Sequence, residues 1–142
     1  MLGVMIDNRL HAVSSRAHES PVNPYWWERL FKTIDGSDAA GFVDFLTPDA
    51  QFRFGNAPMI QGAAEIGAAV TGFFGTIRSS QHRLVQSWGA SESAGCEGEV
   101  TYTRLDGSVV TVPFANVFQL SGNKVSSYHI YIDISTLFST TA

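Results

Sequence analysis

The stretch "SYHIYIDIS", residues 127–135, alternates between two kinds of side chain. Because successive side chains of a strand point to opposite faces of a sheet, this pattern predicts a strand with two different faces. We expect the apolar face to point inwards and the polar face outwards, whereas a bulge would reverse that assignment. The expected inward set is Tyr128, Ile130, Ile132 and Ile134, and the outward set includes His129, Tyr131 and Asp133.

The chain from Ser79 onwards is predicted to form strands separated by turns. The earlier strand segments are "SQHRLVQSWGAS", "CEGEVTYTRL" and "VVTVPFANVFQL". The segments "LDGS" and "SGNK" between the later strands are typical of hairpin turns. The C-terminal half is therefore predicted to be an antiparallel meander that ends in the stretch quoted above.

A first helix is predicted after "HESPVNP". Asn23 can cap it, Pro24 suits its first position and Gly36 can end it. Apolar residues at helical spacing give it one buried stripe. This stripe is Trp27, Leu30, Phe31 and Ile34.

Two more helices and two strands are predicted before the meander, and the second strand is the short segment "PMIQG". Ser37 is the expected cap of a short second helix that stops near Pro48, and "AQFRFGN" alternates as a strand does. A third helix is expected from about Ala63 to Ile77. Helices followed by a long meander predict an α+β fold, with one bent, mostly antiparallel sheet around the helices. We assign residues 1–22 to an N-terminal arm and residues 23–142 to one domain.

Composition excludes several classes of function. Hydrophobic residues make up 44% of the 142 residues and charged residues only 15%, with a net charge of −4. The nine Lys and Arg form no basic stripe, which argues against nucleic-acid binding. No apolar run is long enough to span a membrane, and the first residues do not resemble a signal peptide. We therefore expect a cytoplasmic protein. A surface so poor in charge suggests that part of it is buried against another chain, as in a homodimer, or lines a cavity.

No pattern in the sequence points to a cofactor or a metal. The single Cys96 cannot form an internal disulfide, and none of the four histidines lies in a motif with metal-ligand spacing. Glycine-rich phosphate loops and the G-x-S-x-G nucleophile motif are missing as well. The two kinds of function that the sequence still allows are acid–base catalysis and simple ligand binding in an apolar cavity.

Several large side chains are expected to line or floor such a cavity, because each lies on the inward side of its element. These are Trp27, Phe31, Phe54, Phe73, Phe114 and Phe118. Asn116 shares a face with Phe114 and Phe118, and it is either a polar group of the cavity or a satisfied core amide. His82 lies on the more apolar face of its strand, as a functional or a structural histidine.

Asp35 precedes Gly36 at the end of the first helix, where the helix dipole disfavours a carboxylate. A donor is needed there, and His82 on a neighbouring strand is the expected one. Such a pair could fix one imidazole tautomer and present the other nitrogen to a substrate. The alternative is that Asp35 only begins the turn into the second helix.

The order helix, short helix, "FLTPDAQFRFGN", "MIQGAAEIGAAV" and then a meander closing with "KVSSYHIYIDIS" resembles the nuclear transport factor 2-like superfamily. Its SnoaL-like branch, which includes polyketide cyclases, ketosteroid isomerase, limonene-epoxide hydrolase and scytalone dehydratase, is the most similar. The resemblance covers residues 24–138. It implies a cone-shaped cystatin-like sheet around a deep apolar pocket, and a dimer through the convex face.

The resemblance extends unevenly to individual residues. The general base of ketosteroid isomerase falls on Phe54 or Arg53, and the catalytic Asp of limonene-epoxide hydrolase falls on Ile130. Scytalone dehydratase is more similar: its helix-end Asp matches Asp35 and its pocket His matches His82. Its strand-five Asn approximately matches Asn116. Its second pocket histidine has no counterpart, and Tyr102 is a loose substitute.

Our leading hypothesis is a cofactor-free enzyme that dehydrates, cyclises or isomerises a small apolar molecule, which would make it a lyase or an isomerase. Asp35 and His82 would be the catalytic pair, and Asn116 and Tyr102 would orient the substrate. The alternatives are a non-catalytic module that binds a small hydrophobic ligand, and a protein-interaction adaptor.

Overall fold

The computed structural model describes residues 20–138, so most of the expected N-terminal arm, residues 1–22, lies outside the described residues. Three helices and six strands follow one another along the described chain. The helices are α1 (Pro24–Asp35), α2 (Ala39–Val43) and α3 (Ala63–Phe74), and the strands are β1 (Leu46–Phe54), β2 (Ile60–Gln61), β3 (Ser79–Gly89), β4 (Ser93–Thr103), β5 (Val109–Ser121) and β6 (Lys124–Ile132).

The six strands form one curved sheet in the order β2-β1-β6-β5-β4-β3. Strands β3 to β6 make the predicted antiparallel meander, and β1 then pairs in parallel with β6, so that Leu46 lies beside Val125. Helix α1 packs against β3, and α3 packs against α2 and β1. The predicted α+β fold with a mostly antiparallel sheet and helices on its concave side is confirmed.

Helix α1 begins and ends as its sequence predicts. The side chain of Asn23 accepts a hydrogen bond of 2.8 Å from the backbone nitrogen of Tyr25, Pro24 is the first helical residue and Gly36 caps the C-terminus. The buried face of the helix carries Trp26, Trp27, Leu30 and Phe31.

Three local predictions differ from the structure. The N-cap of α2 is Asp38, whose carboxylate accepts from the backbone nitrogen of Gly41 at 2.9 Å, while Ser37 has a positive φ of 56° in the turn before it. Pro48 lies within β1, where the pairing with β6 is irregular, rather than at the end of α2. Helix α3 ends at Phe74, earlier than Ile77, because Gly75 supplies its C-cap.

The centre of the core is a layer of stacked aromatic rings. Trp27 lies parallel to Phe118 at 5.3 Å between ring centroids, and Phe118 contacts Tyr128 at 4.2 Å. Trp26 packs edge-on against Trp27 at 5.0 Å. These rings hold α1 onto the concave face of β5 and β6. Among residues 20–138, no helix has the length and apolar character needed to cross a membrane.

Candidate active site

The last residue of α1 and the fourth residue of β3 form a tight pair. The Nδ1 atom of His82 lies 2.6 Å from Oδ1 of Asp35, and the backbone nitrogen of His82 donates to Oδ2 at 2.8 Å. Ser80 donates its hydroxyl hydrogen to Oδ1, also at 2.8 Å. The expected contact between Asp35 and His82 is therefore present.

These three donors explain why a carboxylate can stand at this point. The C-terminus of a helix carries partial negative charge, which is unfavourable for Asp35. Strand β3 offsets this cost, because its residues 80 and 82 supply three hydrogen bonds to one carboxylate. The side chains of His82 and Asp35 are 11% and 22% exposed, so water competes little for these bonds.

The imidazole ring of His82 is also fixed by packing. Its centroid lies 4.6 Å from that of Phe31 and 5.2 Å from that of Phe114. Because the Asp35 carboxylate accepts at Nδ1, the neutral ring carries its proton there and leaves a lone pair on Nε2. No described residue forms a hydrogen bond with Nε2. This nitrogen is therefore available to a molecule in the adjoining space.

That space is a cavity of about 190 Å³ between the helices and the concave face of the sheet. Its wall is almost entirely apolar and includes seven phenylalanines. The predicted residues that line it are Phe31, Phe54, Phe73, His82, Tyr102, Phe114, Asn116 and Tyr128. The only other side chain with a polar atom on its wall, within residues 20–138, is Ser80.

Two expected cavity residues lie elsewhere. Trp27 and Phe118 are 1% and 0% exposed, but they are in the aromatic core behind the wall. Trp27 also donates from Nε1 to the backbone oxygen of Pro21 at 2.9 Å. Their side chains face inwards as predicted. Of the two expected positions, lining or flooring the cavity, they do not have the first, because they pack behind Phe31 and Tyr128, which form the wall.

The cavity also includes residues that were not predicted. Ser80 shares the face of His82, since the two are separated by one residue in the same strand, and this alternation could have identified it. Phe42 and Phe52 pack edge-on at 6.0 Å and form another part of the wall. Their inclusion depends on how α2 folds onto β1, and no local pattern reveals that contact.

Two polar side chains in the wall have properties that matter for chemistry. Burial, reinforced by the charge of Asp35, raises the pKa of the Tyr102 phenol, so that Tyr102 stays protonated near neutral pH. Asn116 is only 2% exposed, and its Oδ1 atom has no hydrogen-bond partner among the described residues.

The final strand has the orientation that its alternation predicts. Ile130 and Ile132 line the cavity together with Tyr128. On the opposite face, the rings of His129 and Tyr131 stack at 3.9 Å. Asp133 follows the strand and accepts from the backbone nitrogen of Ser135 at 2.9 Å. His129, Tyr131 and Asp133 are therefore not part of the cavity.

No cluster of three or more His, Cys, Asp and Glu side chains in residues 20–138 is arranged to hold a metal ion. The polar groups of the site are instead a carboxylate–imidazole pair, the three hydroxyls of Ser80, Tyr102 and Tyr128, and an amide. Such a set can move a proton and orient a polar substituent of a small molecule.

The chain thus folds into a curved, mostly antiparallel sheet that is closed by helices around an apolar cavity. The model of the SnoaL-like domain matches residues 27–128, and the chain belongs to this family within the nuclear transport factor 2-like superfamily. A search of curated proteins found no match.

Solved structures share the fold at low sequence identity. A hypothetical protein with a ketosteroid isomerase-like fold from Catenulispora acidiphila, in complex with trimethylamine, is 13% identical with a TM-score of 0.72, over 80% of this chain and 88% of that chain. A candidate polyketide cyclase from Xanthomonas campestris is 15% identical with a TM-score of 0.69, over 78% and 90%. TerC co-crystallised with polyporic acid is 14% identical with a TM-score of 0.67, over 78% and 91%.

Proposed function

We propose that this protein is a cofactor-free, cytoplasmic enzyme that moves a proton on a small apolar molecule, in a dehydration, cyclisation or isomerisation. The observation that carries the proposal is the Asp35–His82 pair beside the cavity, at 2.6 Å between Oδ1 and Nδ1. An apolar cavity alone would serve a binding module equally well. A carboxylate held by three hydrogen bonds to orient one imidazole suits catalysis.

In the proposed mechanism, Nε2 of His82 takes a proton from a carbon of the substrate. The carboxylate of Asp35 holds Nδ1–H and stabilises the imidazolium that forms, which is how such pairs act in proteins. The imidazolium then returns the proton. If the proton goes to another carbon of the substrate, the reaction is an isomerisation. If it goes to a departing hydroxyl group, water is lost and the reaction is a dehydration. Tyr102 supplies a neutral O–H donor to the substrate oxygen.

Deuterium exchange tests this mechanism without knowledge of the natural reaction. A panel of one-ring and two-ring ketones and β-hydroxy ketones is incubated with the protein in D₂O, and deuterium at carbon is measured by mass spectrometry. We expect exchange above the buffer rate for at least one compound. His82→Gln should lower that rate by about 10²- to 10⁴-fold, the usual contribution of a general base.

The chain offers a matched control for this experiment. His129 lies on the opposite face of the sheet from the cavity, so His129→Gln should leave the exchange rate unchanged. Undiminished exchange in His82→Gln would contradict the proposed mechanism. Panel compounds that bind but do not exchange would favour the non-catalytic binding module. An adaptor is less well supported, because it would have no use for the cavity.

We also propose that the protein is a homodimer through the outer face of the sheet. Exposed apolar and aromatic side chains occupy neighbouring strands there: Val117 is 42% exposed and pairs with His129, and Tyr131 is 52% exposed. A stable interface buries about 1,200 Å² or more in total. Light scattering should show a dimer at tens of micromolar and a monomer for Val117→Arg. A monomeric wild-type protein would refute this proposal.

A further inference from the structure

The cavity has polar groups at two separate ends. Ser80 pairs with Tyr102 and His82 with Val100 across β3 and β4, so the polar groups near Asp35 gather at one end. Asn116 pairs with Cys96, four residues further along β4 and one strand further from β3.

The two residues that pair with Asn116 across the sheet have no nitrogen or oxygen in their side chains, and Tyr128, one inward position from Ile130 on β6, also lines the cavity. The register partners of Asn116 are Cys96 on β4 and Ile130 on β6. Phe114 shares the inward face of β5 with Asn116 and contacts the His82 ring, and it therefore lies between the two ends. Apart from these groups and the Tyr128 phenol, the side chains of the cavity wall are apolar.

The Oδ1 atom of Asn116 has no hydrogen-bond partner among residues 20–138. The side chain is almost completely buried and lines the cavity, but no described residue donates a hydrogen bond to its Oδ1 atom. Buried polar groups are almost always paired, so an unpaired amide oxygen in a cavity wall indicates a partner outside the chain.

We propose that the ligand is a compact ring compound with an oxygen substituent at each end, one beside His82 and a hydroxyl group beside Asn116. This inference rests on the proposed function, because it takes the His82 end as the reacting end. A hydroxyl group fits the Asn116 end, since it can donate to Oδ1 and accept from the amide nitrogen. The apolar side chains of the cavity wall hold the ring.

The size of the cavity limits the ring system. An engineered cavity of about 150 Å³ accepts benzene in another protein, and this cavity measures about 190 Å³. One ring or two compact fused rings therefore fit. Edges and faces of Phe54 and Phe73, which pack edge-on at 5.0 Å, provide the surface on which such a ring rests.

Binding by isothermal titration calorimetry tests the second oxygen directly. Two pairs of probes are compared: hydroquinone with 4-methoxyphenol, and 2,6-dihydroxynaphthalene with 6-methoxy-2-naphthol. In each pair the ether keeps the ring and one hydroxyl but loses the second donor. For the ring size that binds, we expect the diol to bind about fivefold more tightly, the effect of one net hydrogen bond.

Asn116→Leu, which has nearly the same shape without polar atoms, should abolish this preference and bind diol and ether equally. If leucine prevents folding, Asn116→Val is used, because valine suits a strand. Gln119→Leu is the matched control. It lies on the same strand, its side chain is on the exposed face, and the preference should persist in it.

Three results would overturn the proposal. These are equal binding of diol and ether by the wild-type protein, a preference that survives in Asn116→Leu, and no binding of either pair. The proposed enzymatic function fails in a different way. A protein that prefers the diols through Asn116 but exchanges no deuterium would refute proton transfer and leave the ligand class intact, while exchange without any preference would do the reverse.

Discussion

Asp35→Asn is the substitution that should separate the orientation of His82 from the folding of the protein. Asparagine has the shape of aspartate but replaces one oxygen acceptor by a donor. Asp35 accepts from the backbone nitrogen of His82 at Oδ2, and from Ser80 and the His82 ring at Oδ1. The backbone N–H can only donate, so the amide oxygen of the asparagine must face it.

The NH₂ group then points at the Ser80 hydroxyl and at Nδ1 of His82. The hydroxyl can rotate and accept, and the imidazole can accept only if its proton moves to Nε2. We therefore expect Asp35→Asn to reverse the tautomer of His82. Nε2, the nitrogen that would act as the base, would carry a proton and lose its basic lone pair.

The cost in stability should be modest. Hydrogen bonds to a charged group contribute about 1.5–3 kcal/mol and neutral ones about 0.5–1.5 kcal/mol, so each of the three bonds weakens by about 1 kcal/mol. Partial exposure of the carboxylate, 22%, reduces this sum. We expect the free energy of unfolding to fall by about 1–2 kcal/mol, which lowers the urea midpoint by about 1 M.

Nitrogen-15 NMR of the histidine rings reports the tautomer directly, with His82→Gln used to assign the signals. Urea unfolding followed by circular dichroism reports stability. Asp133→Asn is the control, because Asp133 is exposed and contacts only the nearby Ser135. A His82 ring still protonated at Nδ1 in Asp35→Asn would show that the carboxylate does not set the tautomer, and the reasoning would be wrong.

Three further predictions concern groups away from the pair. Burial, followed by the charge of Arg53, lowers the pKa of His129, so the unfolded chain takes up a proton more readily than the folded protein. The free energy of unfolding should therefore fall as the pH drops below about 6.5. Urea titrations of His129→Gln should show a smaller fall than those of the wild-type protein. Burial raises the pKa of Cys96 to about 12, so iodoacetamide at pH 8 should leave the native thiol unmodified and label it in urea, and rapid native labelling would contradict this. A Cβ at Gly72 meets nothing within 4 Å, so Gly72→Ala in α3 should stabilise the protein by about 0.5–1 kcal/mol in thermal unfolding. A Cβ at Gly67 would lie 3.1 Å from the Val43 side chain, so Gly67→Ala should stabilise the protein less.

Properties with a short sequence period were predicted correctly. Tyr128, Ile130 and Ile132 face the cavity because the two-residue period of a strand fixes the face of each side chain. The same argument placed His82 and Asn116 on the inward side of β3 and β5. Asn23, Pro24 and Gly36 determined the limits of α1 because caps act within one turn.

Depth within the fold has no such period. Trp27 and Phe118 face inwards as predicted, but which level of the cone they occupy depends on where α1 crosses β5, and that contact joins distant parts of the chain. Ser37 and Asp38 both have side chains suited to cap the N-terminus of α2. Ser37 lies in the preceding turn with a positive φ, and Asp38 is the N-cap. Pro48 predicts a stop after α2, yet it lies in an irregular stretch of β1.

The parallel pairing of β1 with β6 determines when the fold can be completed. Strands β3 to β6 are joined by short loops and can pair as neighbours in sequence. Strand β1 cannot pair with β6, as Leu46 does with Val125, until the intervening chain has been made. Contacts between distant parts of a chain form slowly, since a long loop must close first. During biosynthesis, α1 and α3 therefore emerge long before the sheet that covers their apolar faces is whole. Because β6 is made after the other five strands of this sheet, those apolar faces remain open to aggregation until β6 has paired.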